Sequence, residues 1–189
     1  MENFENDIEN SIKTLQSGDL LLYPTDTIWG IGCDATNPKA VEKVYQLKGR
    51  AENKALIILV ADERDLLKYV ASLDLSLFDY LDKTLKPTTV IFDGAIGLAE
   101  NLLSADGSVA IRICKDEFCK HLIKRFRKPI VSTSANISGE VSPKNFTEIS
   151  PAIKSGVNYI VNWRQNDLTP KEGSTIIKWN AGKVTVIRP

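Results

Sequence analysis

The stretch LLLYPTDTIWGIGCDATNPKAVEKVYQLKGR, residues 20–50, decides the fold class. Its opening run, LLLYP, is short and apolar and reads as a buried strand. A loop of hydroxyls, acids and glycines follows. Asn37 and Pro38 then supply an N-cap and a first-turn proline, and Ala40, Val41, Val44 and Leu47 recur at helical spacing until Gly49. Strand, loop and helix in direct succession are the building unit of an α/β protein.

The same alternation extends in both directions. Upstream, Ile8, Ile12 and Leu15 form one stripe of a helix over residues 5–15 that Gly18 ends. Downstream, ALIILV (55–60) reads as a strand, and a helix starts at Asp62 with Leu66, Leu67 and Val70 on its apolar side. A second helix covers 75–83. Strands follow at 89–92, 109–113 and 129–132, with a helix around His121 between the last two. After a helix near 145–153, VNYIVN, STIIKW and KVTVIRP are closely spaced strands, the last two joined by a hairpin turn at 180–182. The expectation is α/β, a mixed sheet covered by helices, in one domain spanning residues 1–189.

Composition narrows the function. Lys and Arg number 24, Asp and Glu 24, and 43% of the 189 residues are hydrophobic, which disfavours disorder and wholesale polyanion binding. The acidic start MENFENDIENSI has no signal-peptide character, and no apolar run approaches the roughly 20 residues of a membrane span. A cytoplasmic protein is expected. Cys33, Cys114 and Cys119 form no C-x-x-C pair and read as small buried hydrophobes, and with His121 the one histidine no zinc or His-rich metal site is built. His121 itself sits beside the polar flank of its helix, as a surface residue.

Three segments have the composition of binding loops. YPTDTIWGIGCDA (23–35) places two threonines, two glycines and two acids directly after a strand, where α/β sheets bind ligands. Gly30 and Gly32 suit either close backbone approach or positive φ; G-x-G alone is a weak nucleotide signal, and no P-loop motif is present. KGRAENK gathers Lys48, Arg50 and Lys54 at a helix end, a set able to clamp a polyphosphate, although the helix dipole also favours cations there. STSANISGEVSP (132–143) presents short rigid hydrogen-bonding groups, or is a plain polar loop. A basic stretch over 115–128 either touches RNA phosphates or is the solvated face of an amphipathic helix.

Taken together and in order, YPTDTIWGIGCDA, LKGR with Lys54 and Leu56 after it, SVAIRI (108–113), STSANISG (132–139), GSTII and the closing IRP resemble the YrdC-like family of L-threonylcarbamoyl-adenylate synthases, over residues 19–189. The resemblance implies a twisted α/β sheet around a large, positively charged cavity. It also implies a reaction joining L-threonine, bicarbonate or CO2, and ATP (with Mg2+ on the nucleotide and no dedicated protein cage) into threonylcarbamoyl-AMP and pyrophosphate. A separate tRNA threonylcarbamoyl transferase complex would consume the product, modifying the adenosine beside the anticodon. Matched position by position, Thr27, Arg112, Ser132 and Ser174 are expected to contact threonine. Arg50, Lys54, Ser108, Ser134, Asn136, Ser142 and Arg188 are expected at ATP, with Lys48 and Arg50 positioning phosphate as the catalytic pair.

Two loops depart from the family pattern. Leu85-Lys86-Pro87-Thr88-Thr89 stands where members commonly carry P-G-P-x-T, and Cys114 to Phe118 reads CKDEF where many have a Pro and a His. Longer members continue into a further C-terminal domain, which is not expected in a chain ending at Pro189. The alternative is a catalytically diverged paralogue that binds nucleotide or double-stranded RNA as a translation or ribosome-associated factor. A third reading is carbamoyl-adenylate chemistry on another acceptor.

Overall fold

The computed structural model describes residues 4–50, 55–180 and 182–189. Helix α1 (Glu5–Gln16) buries Ile8 and Leu15 and leads into β1 (Leu21–Tyr23), whose three residues are all buried. The chain returns as β2 (Gly30–Gly32) and enters α2 (Pro38–Lys48). Asn37 caps α2, its side-chain oxygen accepting from the N–H groups of Lys39 and Ala40 at 3.1 and 3.3 Å. Gly49 ends the helix in the left-handed region, φ 56°, a conformation that glycine adopts without a Cβ clash.

Strand β3 (Ile57–Val60) is followed by α3 (Glu63–Leu66) and α4 (Ser76–Lys83). Helix α3 is one turn, not the longer helix that Leu66, Leu67 and Val70 suggest. The backbone of 69–71 pairs instead with 94–96: Ala71 N–H donates to Gly94 at 3.0 Å, Ile96 N–H donates to Tyr69 at 3.0 Å, and Val70 bridges Ala95. Strands β4 (Thr88–Phe92) and β5 (Val109–Ile113), helix α5 (Glu117–Phe126) and strand β6 (Ile130–Ser134) fall where their periodicity places them. The helix expected near 145–153 is broken. A 3-10 turn at Phe146–Glu148 gives way to α6 (Pro151–Gly156), because Pro151 disfavours helical backbone at Ser150, which becomes the new N-cap. The tail adds β7 (Tyr159–Ile160), β8 (Thr175–Asn180) and β9 (Lys183–Arg188). The predicted hairpin joins β8 to β9 through a positive-φ Gly182; Ala181 lies outside the described residues.

The nine strands among the described residues form one mixed sheet in the order β7-β1-β2-β6-β3-β5-β4-β8-β9. Strand β6 runs antiparallel between β2 and β3, and β5 pairs parallel with β3 and antiparallel with β4. The register sets Gly30 opposite Ser134, Ile57 opposite Ser132 and Leu59 opposite Arg112. A continuous cluster of buried apolar residues from α1, α2, α5 and the central strands forms the core.

Strand β2 was legible only as a glycine-rich loop. Neither Gly30 nor Gly32 has positive φ; close approach is what requires them. A Cβ on Gly32 would sit 2.5 Å from Cε1 of Tyr23 and 2.8 Å from the Val131 carbonyl oxygen, and one on Gly30 would sit 2.9 Å from Oγ of Ser132.

Candidate active site

A cavity of about 500 Å³ opens on the sheet, walled by residues that sequence alone scatters over the whole chain. Residues two apart on a strand share a face, so β6 turns Ser132 and Ser134 to the same side. Strand β5 brings Arg112, the β1–β2 connection Thr27, and the chain beyond the cap of α2 Arg50. Ser174, just before β8, and Arg188, at the end of β9, also line it, and Ser142 joins from the loop after β6.

Arg112 is 3% exposed. Its Nη2 lies 3.0 Å from Asp26 Oδ1 and donates to Thr27 Oγ1 at 3.2 Å, while its Nε is buried without a hydrogen-bond partner. A buried guanidinium needs a counter-charge, and Asp26 supplies it. Asp26 is fixed in turn by the Lys115 N–H, which donates to its Oδ2 at 3.2 Å. The divergent 114–118 loop therefore supports this pair. Asp116 in that loop also caps α5, accepting from Cys119 N–H at 2.9 Å, and pairs with Arg164 at 2.6 Å.

Also on the wall, Arg188 donates to the Ser174 carbonyl from Nη2 at 2.7 Å and from Nε at 3.2 Å. Ser174 Oγ meets Thr89 Oγ1 at 2.7 Å, so the altered 85–89 turn still delivers a threonine to the wall. Burial pulls the Arg50 pKa below its ordinary value, and burial together with the charge of Arg112 does the same for Arg188. Cations held this close in a partly desolvated wall favour an anionic ligand. Lys144, Lys171 and Glu172 also line the cavity, Lys171 pairing with Asp167 at 3.8 Å. Neither lysine belongs to a motif, and a lone lysine in a polar loop carries no sequence signal.

Other expected residues lie elsewhere. Lys48 is not on the cavity wall: it is 1% exposed, and its Nζ donates to the carbonyls of Ser134 and Asn136 at 2.5 and 2.6 Å. Burial, reinforced by Arg50, pushes its pKa down to about 8. Asn136 donates from Nδ2 to the carbonyls of Ile137 and Glu140, both at 2.9 Å, so Lys48 and Asn136 brace the 134–140 loop from behind. Ser108 immediately precedes β5, beyond the opposite end of the strand from Arg112, and its hydroxyl donates to Asp106 at 2.6 Å. Lys54 lies outside the described residues. Among the described residues no group of three or more His, Cys, Asp or Glu is placed to hold a metal ion.

The basic helix is largely engaged with its own protein. Lys124 pairs with Asp62 at 3.6 Å, Lys128 with Asp34 at 2.7 Å and Arg125 with Glu5. His121 lies on the half-exposed face of α5, 4.0 Å from Glu117. The three cysteines are buried and free. No helix among the described residues is long and apolar enough to cross a membrane.

This geometry defines a class: a mixed α/β protein whose sheet carries an arginine-lined cavity with threonine and serine hydroxyls on its wall. The family model Sua5/YciO/YrdC, described as telomere recombination, matches residues 13–189, and the chain belongs to that family. It is 31% identical over 186 residues to the threonylcarbamoyl-AMP synthase of Photobacterium profundum, covering 96% of this chain and 97% of that one. It is 34% identical over 177 residues to a putative threonylcarbamoyl-AMP synthase of Methanocaldococcus jannaschii, covering 93% and 82%. The fold matches the crystal structure of P. abyssi Sua5 complexed with L-threonine at a TM-score of 0.86 and 23% identity; the match covers 98% of this chain and 54% of that one.

Proposed function

We propose that this protein forms L-threonylcarbamoyl-AMP and pyrophosphate from L-threonine, bicarbonate or CO2, and ATP, in the cytoplasm, for the threonylcarbamoyl modification of tRNA adenosine. The observation that carries the reading is that Arg112, held by Asp26 and Thr27, lines the same cavity as Arg50 and Arg188. The names of the similar synthases, and the L-threonine bound by the similar Sua5, support the same substrate.

In this reaction a carbamate oxygen on threonine attacks the α-phosphorus in line with departing pyrophosphate. The step needs positioning and charge neutralisation more than a proton shuttle, so a wall of arginines without a histidine suits it. Arg112 takes the threonine carboxylate, with Thr27, Ser132 and Ser174 around the amino acid. Arg50, Lys54, Arg188, Ser134 and Ser142 hold the nucleotide, Ser108 and Asn136 stand as expected ATP contacts outside the cavity wall, and Lys48 acts through the loop it braces. Glu172 is the one acidic side chain on the described wall, and a single acidic side chain does not make a resident Mg2+ cage, so in this reading the ion accompanies ATP as part of the nucleotide.

The test is pyrophosphate release from ATP with and without L-threonine and bicarbonate, trapping the adenylate by mass spectrometry. Release is expected to require both co-substrates, and Arg50→Ala is expected to lower it by orders of magnitude. ATP binding with no threonine-dependent release would favour the nucleotide- or RNA-binding paralogue.

A further inference from the structure

One hydrogen-bond arrangement of the loop that carries Thr27 gives every acceptor in it a donor. Thr25 Oγ1 lies 2.9 Å from the Ile28 carbonyl, and in that arrangement the single hydroxyl proton of Thr25 is directed there. Thr25 Oγ1 accepts from the Thr27 N–H at 3.0 Å. It also lies 3.0 Å from Thr27 Oγ1, and with no proton left it must be the acceptor, so the Thr27 hydroxyl donates. The oxygen of Thr27 in turn accepts from Arg112 Nη2 at 3.2 Å. Counting protons and lone pairs leaves Thr27, a residue on the cavity wall, with one lone pair and no proton for a ligand.

We propose that Thr25 is a positioning residue that fixes Thr27 as a hydrogen-bond acceptor, so that Thr27 receives the N–H of the amino-acid substrate while Arg112 takes its carboxylate. The proposal rests on the reading above that L-threonine enters this cavity. A serine or threonine hydroxyl ordinarily rotates to donate or accept as its partner requires; here Thr25, 1% exposed, removes that freedom. A hydroxyl that donated would suit the carboxylate end of the amino acid instead of its amine end. The chain N–H to Thr27 to Thr25 to the Ile28 carbonyl polarises in one direction, which strengthens the contact with an amine donor. The site thereby distinguishes the two ends of an amino acid by hydrogen-bond polarity as well as by charge.

The test is calorimetric titration of L-threonine, and separately of ATP, onto the wild-type chain, Thr25→Val and Thr25→Ser. 3-Hydroxybutanoate, which lacks the amine, serves as a competitor. Thr25→Val is expected to weaken L-threonine about tenfold, leave ATP within twofold and narrow the gap between L-threonine and 3-hydroxybutanoate; Thr25→Ser is expected to restore all three. An unchanged L-threonine affinity in Thr25→Val, an equal loss in Thr25→Ser, or a parallel loss of threonine and its amine-free analogue would overturn the assignment while leaving the proposed function standing. A wild-type chain that binds ATP but no L-threonine would overturn the substrate reading itself, and this inference with it.

Discussion

Lys48 shows how one side chain can belong to a site without facing its ligand. Its ammonium group joins two carbonyls of the loop that follows β6, and Ser138 N–H returns a hydrogen bond to the Lys48 carbonyl at 2.8 Å. Burial works against the charge while the carbonyls favour it, and burial prevails, lowering the pKa from 10.5 to about 8. The folded protein therefore releases this proton near 8, whereas the unfolded chain keeps it to about 10.5. Raising the pH through that window removes the penalty for a buried charge, so this group's contribution to stability rises there. Denaturant melts at pH 7.5 and 10 should show wild type gaining on Lys48→Met, and an NMR titration should give a Lys48 midpoint near 8; a midpoint above 10 would mean that the carbonyls dominate. The pairing of Lys48 with Asn136 was visible in sequence only as two motif positions, since nothing in a sequence tells a lysine that meets a phosphate from one that meets carbonyls.

At the scale of elements, β2 is the piece that sequence reading could not see. Gly-Ile-Gly has poor strand propensity; it returns antiparallel to β1 next to it in the chain, and its other partner, β6, is distant in sequence. Tyr23, whose hydroxyl donates to the Val131 carbonyl at 3.1 Å, fills the space a side chain on Gly32 would need. Gly32→Ala should therefore destabilise the protein by about 1–3 kcal/mol through overpacking, read as a lowered denaturation midpoint at unchanged m-value. A loss below 0.5 kcal/mol would mean that the sheet opens there more easily than the geometry indicates. The caps behave in the opposite way. Asn37 and Gly49 bound α2 in sequence and in structure alike, because capping is settled within a few residues of chain. The shortened α3 and the broken helix at 145–153 show the limit of that rule where a long-range pairing or a proline intervenes.

Over the whole molecule, a single carboxylate near the start of the chain anchors a segment near its end. Asp7, 6% exposed, accepts from the Tyr159 hydroxyl at 2.6 Å, from the N–H and the side-chain amide of Asn162, both at 3.1 Å, and from the Trp163 N–H at 2.9 Å. These bonds tie α1 to the chain leaving β7, which continues towards the cavity wall at Lys171 and Ser174. Removing the acceptor leaves four donors to re-satisfy, so Asp7→Ala should cost about 2–4 kcal/mol. Thermal unfolding checks the loss; a variant as stable as wild type would mean that water replaces the carboxylate at no cost.

Local order in the chain determined the α/β class, most strands and the capped α2, since each rests on periodicity or short-range pattern, while the site residues Thr27, Arg50, Arg112, Ser132, Ser134, Ser174 and Arg188 were legible only through the resemblance of ordered motifs to the YrdC-like family. The tertiary structure decided which of these share a wall. Sheet order sets β5, β6 and β8–β9 around one cavity, draws in Lys144 and Lys171, turns Lys48 and Asn136 behind the loop and leaves Ser108 beyond the opposite end of β5 from Arg112. The same folding joins Asp26 to Arg112 across 86 positions of chain. Side-chain direction and through-space charge depend on register and packing between distant segments, and no local pattern carries that information.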